Sequence, residues 1–250
     1  MSKTQTSGRF VWHELHARDV EAAKGFYGEL FGWKTKSMEM GPIGTYTMFS
    51  AGGQDVGGAM KLQGPAPSWL AYCTTPDVDA AVARAKSAGA KVLMGPDSIP
   101  TVGRYAVLSH AAGGVIAPFC GDSESPEIDK PATGSFCWDE VVTQDPKAAV
   151  AFYKDVFNYG TEEKDMGPAG AYTILKRGDR MAAGVMKAFE PKAPSMVLSY
   201  VAVDDVDASL ARAKKLGGKE IAAAADIPGI GRFAVIADLE GAVIALFKGT

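Results

Sequence analysis

The sequence predicts an α+β chain, a tandem duplication of a domain that is itself built from two strand–helix–three-strand units. Three observations predict it. Trp12, Glu14, Asp19, Phe26 and Tyr27 recur as Trp138, Glu140, Asp145, Phe152 and Tyr153, every one at an offset of 126 residues. Within each copy, helical spacing of apolar residues starts just after an aspartate. The segments around these helices carry strand-like and turn-like patterns.

Each element has its own justification. Phe10 to Leu15 reads as a strand. Asp19 caps a helix carrying Ala22, Ala23, Phe26, Tyr27, Leu30 and Phe31, and Gly32 ends it. Tyr46 to Phe49 is strand-like, Gly52-Gly53 is a hairpin signal, and Val56 to Met60 closes the unit before Gly64-Pro65-Ala66-Pro67 breaks the chain. The order then repeats. Trp69 to Thr75 is a strand, Asp77 starts a helix with Val78, Ala81, Val82, Ala85 and Ala88, and Gly89 ends it. Strands follow around Lys91-Val92-Leu93, Arg104 to Leu108 and Val115 to Phe119.

The second copy repeats the first. From Trp12 to Trp33 against Trp138 to Tyr159, 8 of 22 positions are identical; from Gly103 to Phe119 against Gly231 to Phe247, 9 of 17 are. The offset grows from 126 to 128 between these blocks, which places a two-residue insertion around Glu190 to Met196, in a loop. The expected division is a first domain at 8–120, a linker at 121–134 and a second domain at 135–249. The linker holds Ser123, Ser125, Pro126 and Pro131 among the acids Asp122, Glu124, Glu127 and Asp129. Residues 1–8 read as a disordered or loosely docked start.

Composition bounds the function. The chain has 250 residues, 47% hydrophobic and 22% charged, with a net charge of -3. That is globular, and no basic stripe suggests nucleic acid or an anionic membrane as partner. No signal-peptide core or long apolar run is present, so the default expectation is a cytoplasmic protein. Cys73, Cys120 and Cys137 have no CxxC spacing and read as buried or half-buried thiols. Oligomeric state stays open between a monomer with paired domains and a homodimer.

The ordered units, the Asp77-Val78-Asp79 and Asp205-Val206-Asp207 helix starts, Leu30-Phe31-Gly32-Trp33, and the closing Gly113-Gly114-Val115-Ile116 and Gly241-Ala242-Val243-Ile244 resemble the vicinal oxygen chelate superfamily. That superfamily includes glyoxalase I, extradiol dioxygenases, fosfomycin-resistance enzymes and bleomycin-binding proteins. Within it the chain is most similar to tandem-domain glyoxalase-like proteins. The resemblance implies a curled sheet forming one cup per domain. It also implies metal ligands seven residues before each pre-helix Asp and on the closing strands. Those positions hold Trp12, Leu70 and Ala117 in the first copy and Trp138, Leu198 and Ala245 in the second. None is an ordinary metal donor, so the expectation is a lost metal site and no cofactor.

Strand alternation puts Trp12, Glu14 and His16 on one face, matched by Trp138, Glu140 and Val142. His13 then faces the helix. Tyr46, Tyr72 and Phe119 are expected to line the first cup, and Tyr172, Tyr200 and Phe247 the second. Arg104 and Arg232 complete the ligand-binding candidates. Glu14 and Glu140 are the catalytic candidates, as bases or hydrogen-bond anchors, with ion pairs to Arg104 and Arg232 as the structural alternative. The leading functional expectation is binding of a small, mostly apolar or aromatic molecule without metal. The alternatives are a glyoxalase-like metal-dependent lyase or isomerase, and a metal-independent enzyme using Glu14 or Glu140 as base. An extradiol dioxygenase is disfavoured because it needs two His and a carboxylate in one cup.

Overall fold

The computed structural model describes residues 6–41, 44–62, 64–123, 127, 130–167 and 170–250. Four successive strand–helix–three-strand modules make up the chain. The first is β1 (Phe10–Ala17), α1 (Val20–Phe31), β2 (Lys34–Glu39), β3 (Thr45–Ala51) and β4 (Gln54–Lys61). The second is β5 (Ser68–Thr74), α2 (Val78–Ser87), β6 (Lys91–Ile99), β7 (Gly103–His110) and β8 (Gly114–Gly121). The third is β9 (Phe136–Thr143), α3 (Pro146–Phe157), β10 (Gly160–Asp165), β11 (Ala171–Arg177) and β12 (Arg180–Lys187). The fourth is β13 (Met196–Ala202), α4 (Val206–Lys215), β14 (Lys219–Ile227), β15 (Gly231–Ala237) and β16 (Val243–Gly249).

Every helix begins in the same way. The side chains of Asp19, Asp77, Asp145 and Asp205 accept from the backbone N–H three residues on, at 2.9, 2.9, 3.0 and 2.9 Å. Each cap satisfies one donor the helix leaves unpaired, which stabilises by about 1 kcal/mol. Gly32 and Asn158 close α1 and α3 in the left-handed region, at φ 71° and 60°.

The strands form two eight-stranded sheets, ordered β2-β3-β4-β1-β5-β8-β7-β6 and β10-β11-β12-β9-β13-β16-β15-β14. In each module the first strand runs parallel to the last, as in β1 with β4 and β13 with β16, and the other pairings are antiparallel. This is the α+β architecture expected, with two similar halves.

The edge strand β2 was not legible. All six of its residues are exposed, so it has no apolar face to betray it, and its lysines suit an unpaired sheet edge.

Two compact units partition the chain, and each draws one module from each sequence copy. One comprises Met1–Val11, Ala71–Glu127 and Asp139–Val197; the other comprises Trp12–Leu70, Ile128–Trp138 and Leu198–Thr250. The core of the first gathers Cys73, Val78, Val82, Leu108 and Ile116 with Phe152, Tyr153, Val156, Phe157 and Leu175. The core of the second gathers Leu15, Phe26, Tyr27, Trp33, Phe49 and Trp69 with Val206, Leu210, Ile236, Ile244 and Leu246. In the second unit Tyr27 is fully buried, and its hydroxyl is satisfied on both sides. It donates to Asp238 Oδ2 at 2.9 Å and accepts from Trp69 Nε1 at 3.0 Å.

Of the stretch expected to be disordered or loosely docked, Thr6 to Gly8 are among the described residues. Gly8 N donates to Thr74 O at 2.8 Å, and Tyr159 Oη donates to Gly8 O at 2.8 Å, so this stretch is docked. Residues 1–5 lie outside the described residues. Of the expected linker, Glu124, Ser125, Pro126 and Asp129 also lie outside them. Glu127, which is described, pairs with Arg177. Among the described residues no helix is long and apolar enough to cross a membrane.

Candidate functional site

Along β1, His13, Leu15 and Ala17 alternate with Trp12, Glu14 and His16. The first set is buried on the α1 side. Leu15 and Ala17 enter the core, and His13 stacks on Phe136 with ring centroids 3.8 Å apart. The second set lies on the opposite face, where β3 supplies Tyr46. Here four side chains form one hydrogen-bonded line. Trp12 Nε1 donates to Tyr46 Oη at 2.8 Å. The Tyr46 hydroxyl bonds the Glu14 carboxylate. Glu14 Oε1 lies 2.8 Å from His16 Nε2.

Glu14 is only 7% exposed. A buried carboxylate persists only where donors compensate its lost hydration, and Tyr46 and His16 supply them. Burial, then the charge of Glu14, pushes the Tyr46 phenol far above its ordinary range, so Tyr46 acts as a donor at neutral pH.

A glycine makes room for this arrangement. Gly58 on β4 is the register partner of Glu14. A Cβ built there would lie 2.7 Å from Tyr46 Cε1, and closer still to Cζ and the hydroxyl. The Tyr46 ring thus occupies the space a side chain would need. The second copy keeps the plan, because Glu140, Tyr172 and Gly184 stand 126 residues after Glu14, Tyr46 and Gly58. Gly184 is the register partner of Glu140, and its Cβ would fall 3.1 Å from Tyr172 Cε1 and nearer to Cζ and the hydroxyl. Glu140 is 6% exposed. Only the imidazole is missing, since Val142 stands opposite Met186 as His16 stands opposite Met60. Sequence reasoning missed Gly58 and Gly184 as site-forming residues; the shared offset of 126 was the available signal.

The other candidates fall into smaller groups. Tyr72 packs against Tyr105 and Phe119, each at 6.1 Å between centroids, and Tyr200 packs against Phe247 at 6.4 Å. Trp138 is half-buried on β9. The alternative pairing of the glutamates with Arg104 and Arg232 is not found among the described residues. Arg104 forks onto Asp79 at 2.8 and 2.9 Å. Arg232 forks onto Asp207 at the same distances and also reaches Asp226 at 2.9 Å. Each arginine is adjacent to the acidic first turn of its own module's helix, which offers an exposed partner without desolvation.

His110 has a structural post. It stacks on Phe152 at 4.3 Å, accepts from Gly113 N at 3.0 Å and lies 3.2 Å from Ala88 O. Its counterpart Asp238 serves the equivalent turn by accepting from the backbone N–H groups of Glu240, Gly241 and Ala242, each at 2.9 Å.

Among the described residues no three His, Cys, Asp or Glu side chains converge on one point. The positions assigned by resemblance to ligands carry indole or aliphatic groups, and Ala117 and Ala245 are fully buried. Glu14 and His16 supply two donors, already turned toward each other, where a zinc site needs at least three from the protein.

Comparison with known proteins agrees with this fold. Residues 9–52 match the family described as Bleomycin resistance protein-like N-terminal, and residues 135–247 match the Glyoxalase-like domain. The chain belongs to the vicinal oxygen chelate superfamily, the family of glyoxalase-like and bleomycin-resistance-like domains. Among its relatives is "Putative glyoxylase CFP32" of Mycobacterium bovis, 33% identical over 95% of this chain and 93% of that protein. The anthracycline biosynthesis protein DnrV of Streptomyces peucetius is 32% identical over 97% of this chain and 94% of its own length. Among solved structures, the Mn(II)-bound glyoxalase from Novosphingobium aromaticivorans shares the fold. Its TM-score is 0.65 at 18% identity, over 98% of this chain and 82% of that one. The 2,3-dioxygenase LapB from Pseudomonas sp. KL28 does so with a TM-score of 0.67 at 9% identity, over 99% and 94% of the two chains.

Proposed function

We propose that the chain binds a small, mostly apolar or aromatic molecule on the faces that carry Glu14 and Glu140, and that it does so without a metal ion. The observation that carries this reading is the Trp12–Tyr46–Glu14 line laid over Gly58, with Glu140, Tyr172 and Gly184 repeating its register. An aromatic wall with one buried carboxylate recognises a flat ring through stacking and a ring hydroxyl through a charge-assisted hydrogen bond. The relative named for anthracycline biosynthesis supports an aromatic ligand. Arg104 and Arg232, engaged with exposed aspartates, contribute less to such a site than the aromatic candidates Tyr72, Phe119, Tyr200 and Phe247.

The test uses protein purified without chelator. Its metal content is measured by mass spectrometry, and its tryptophan emission is titrated with 2-naphthol as a hydroxylated aromatic probe. The expected result is substoichiometric metal, no thermal stabilisation by zinc, nickel or iron(II), and saturable quenching that weakens in Tyr46→Ala. Stoichiometric metal surviving dialysis, or no saturable quenching, would overturn the reading, the former in favour of a glyoxalase-like lyase or isomerase.

A further inference from the structure

We propose that the first copy carries a general base that the second lacks: the His16 imidazole, held by Glu14, removes a proton from an aromatic carbon acid bound beside it. This rests on the binding reading above and adds a chemical step to it. Glu14 Oε1 and His16 Nε2 are 2.8 Å apart, and the His16 and Glu14 side chains are 16% and 9% exposed. A carboxylate only accepts, so the ring proton at this contact sits on Nε2. Nδ1 is then the lone-pair nitrogen, and it has no partner among the described residues. A half-buried imidazole with one nitrogen fixed by a carboxylate and the other unengaged has the arrangement that general-base catalysis uses.

The line behind it stiffens the pair. Tyr46 holds Glu14, Trp12 holds Tyr46, and Gly58 leaves the phenol its place. Glu14 is therefore a positioning residue for His16, and its charge stabilises the imidazolium as it forms. In the second copy Glu140, Tyr172 and Gly184 remain, but Val142 can take no proton. That copy binds without reacting.

The step balances without a co-reactant. Nδ1 takes the proton, the C–H bond breaks, and its electron pair passes into the ring substituent. The imidazolium then returns the proton to water or to the product. The substrate class is a small aromatic compound whose C–H is acidified by an adjacent carbonyl or C=N group.

The full-length chain can be tested with 5-nitrobenzisoxazole, an aromatic carbon acid. Loss of its C–H proton forms a nitrile and breaks the ring N–O bond, releasing a coloured phenolate. Saturable turnover is expected. His16→Val should lower kcat by about a hundredfold or more, the range for losing a general base, with KM little changed. This variant copies the residue of the second repeat, and its folding is checked by thermal melting. Glu14→Gln should lower kcat with KM held. In 15N NMR it should also convert His16 from the Nε2–H tautomer to a mixture, which a purely structural Glu14 would not do. Equal kcat for wild type and His16→Val, or a His16 protonated at Nδ1 in the neutral wild-type ring, would overturn the proposal while leaving 2-naphthol binding intact. Absence of any saturable aromatic binding would instead bring down the binding reading on which it stands.

Discussion

The sharpest test of the site's architecture is Gly58→Ala. The three heavy atoms nearest a Cβ at Gly58 all belong to Tyr46, and Cε1 is only 2.7 Å away. The methyl group therefore displaces the phenol, and two hydrogen bonds go with it. The bond to the Glu14 carboxylate is charge-assisted and contributes about 1.5–3 kcal/mol, and the indole–phenol bond about 0.5–1.5 kcal/mol. Against this, alanine in a strand is favoured over glycine by about 0.5–1 kcal/mol. The net loss is about 2.5 kcal/mol, which for a chain of this size lowers Tm by roughly 5–10 °C. Thermal unfolding by circular dichroism measures it, and a double-mutant cycle assigns the cause. In a Tyr46→Ala background the clash has no partner, so Gly58→Ala should become neutral or stabilising by up to about 1 kcal/mol. An equal cost of Gly58→Ala in both backgrounds would refute the reasoning, because it would place the strain somewhere other than the tyrosine.

Other outcomes follow from contacts elsewhere in the protein. Asp238→Ala removes the acceptor of the buried Tyr27 hydroxyl and the side-chain acceptor of the Glu240, Gly241 and Ala242 N–H groups and should cost about 2–4 kcal/mol by denaturant unfolding. Burial pushes the Cys73 thiol far above its ordinary range, so in the folded protein it should resist a thiol reagent until denaturant is added; mass spectrometry of the labelled peptides reads this. The Arg104 and Arg232 forks hold the Asp79 and Asp207 carboxyls below the usual range. Lowered carboxyls stabilise above their unfolded range and lose that contribution as pH falls through the folded one. Asp79→Asn should therefore lower Tm slightly at neutral pH and not in strong acid, and added salt should shrink the difference, since both partners are solvent-exposed.

The elements were legible where a residue type had a local job. Asp19, Asp77, Asp145 and Asp205 announce helix starts because a carboxylate caps free N–H groups wherever it occurs. Period-two alternation put Trp12, Glu14 and His16 on one face and turned His13 away. The β2 strand escaped because all its residues are exposed and a strand without an apolar face has no periodic signature. The partner of each arginine escaped for another reason: ion pairs join residues distant in sequence, and Arg104 finds Asp79 across 25 positions. Gly58 was read only as part of the closing strand from Val56 to Met60. Its purpose appears only when the tyrosine of the neighbouring strand is seen to occupy the missing side chain's volume.

The division of the cores has a consequence for how such a chain diverges. The α1 face shares its core with α4, and the α2 face with α3, so neither sequence copy encloses its own hydrophobic interior. A half-length ancestor would meet the same need by pairing with a second identical molecule, and symmetry would then force both of its sites to be the same. Joining the halves covalently replaces a concentration-dependent encounter with a permanent one. It also lifts the symmetry constraint. One copy can keep an imidazole at position 16 while the other settles for valine at position 142, and a single mutation can be selected in one site without being imposed on its twin.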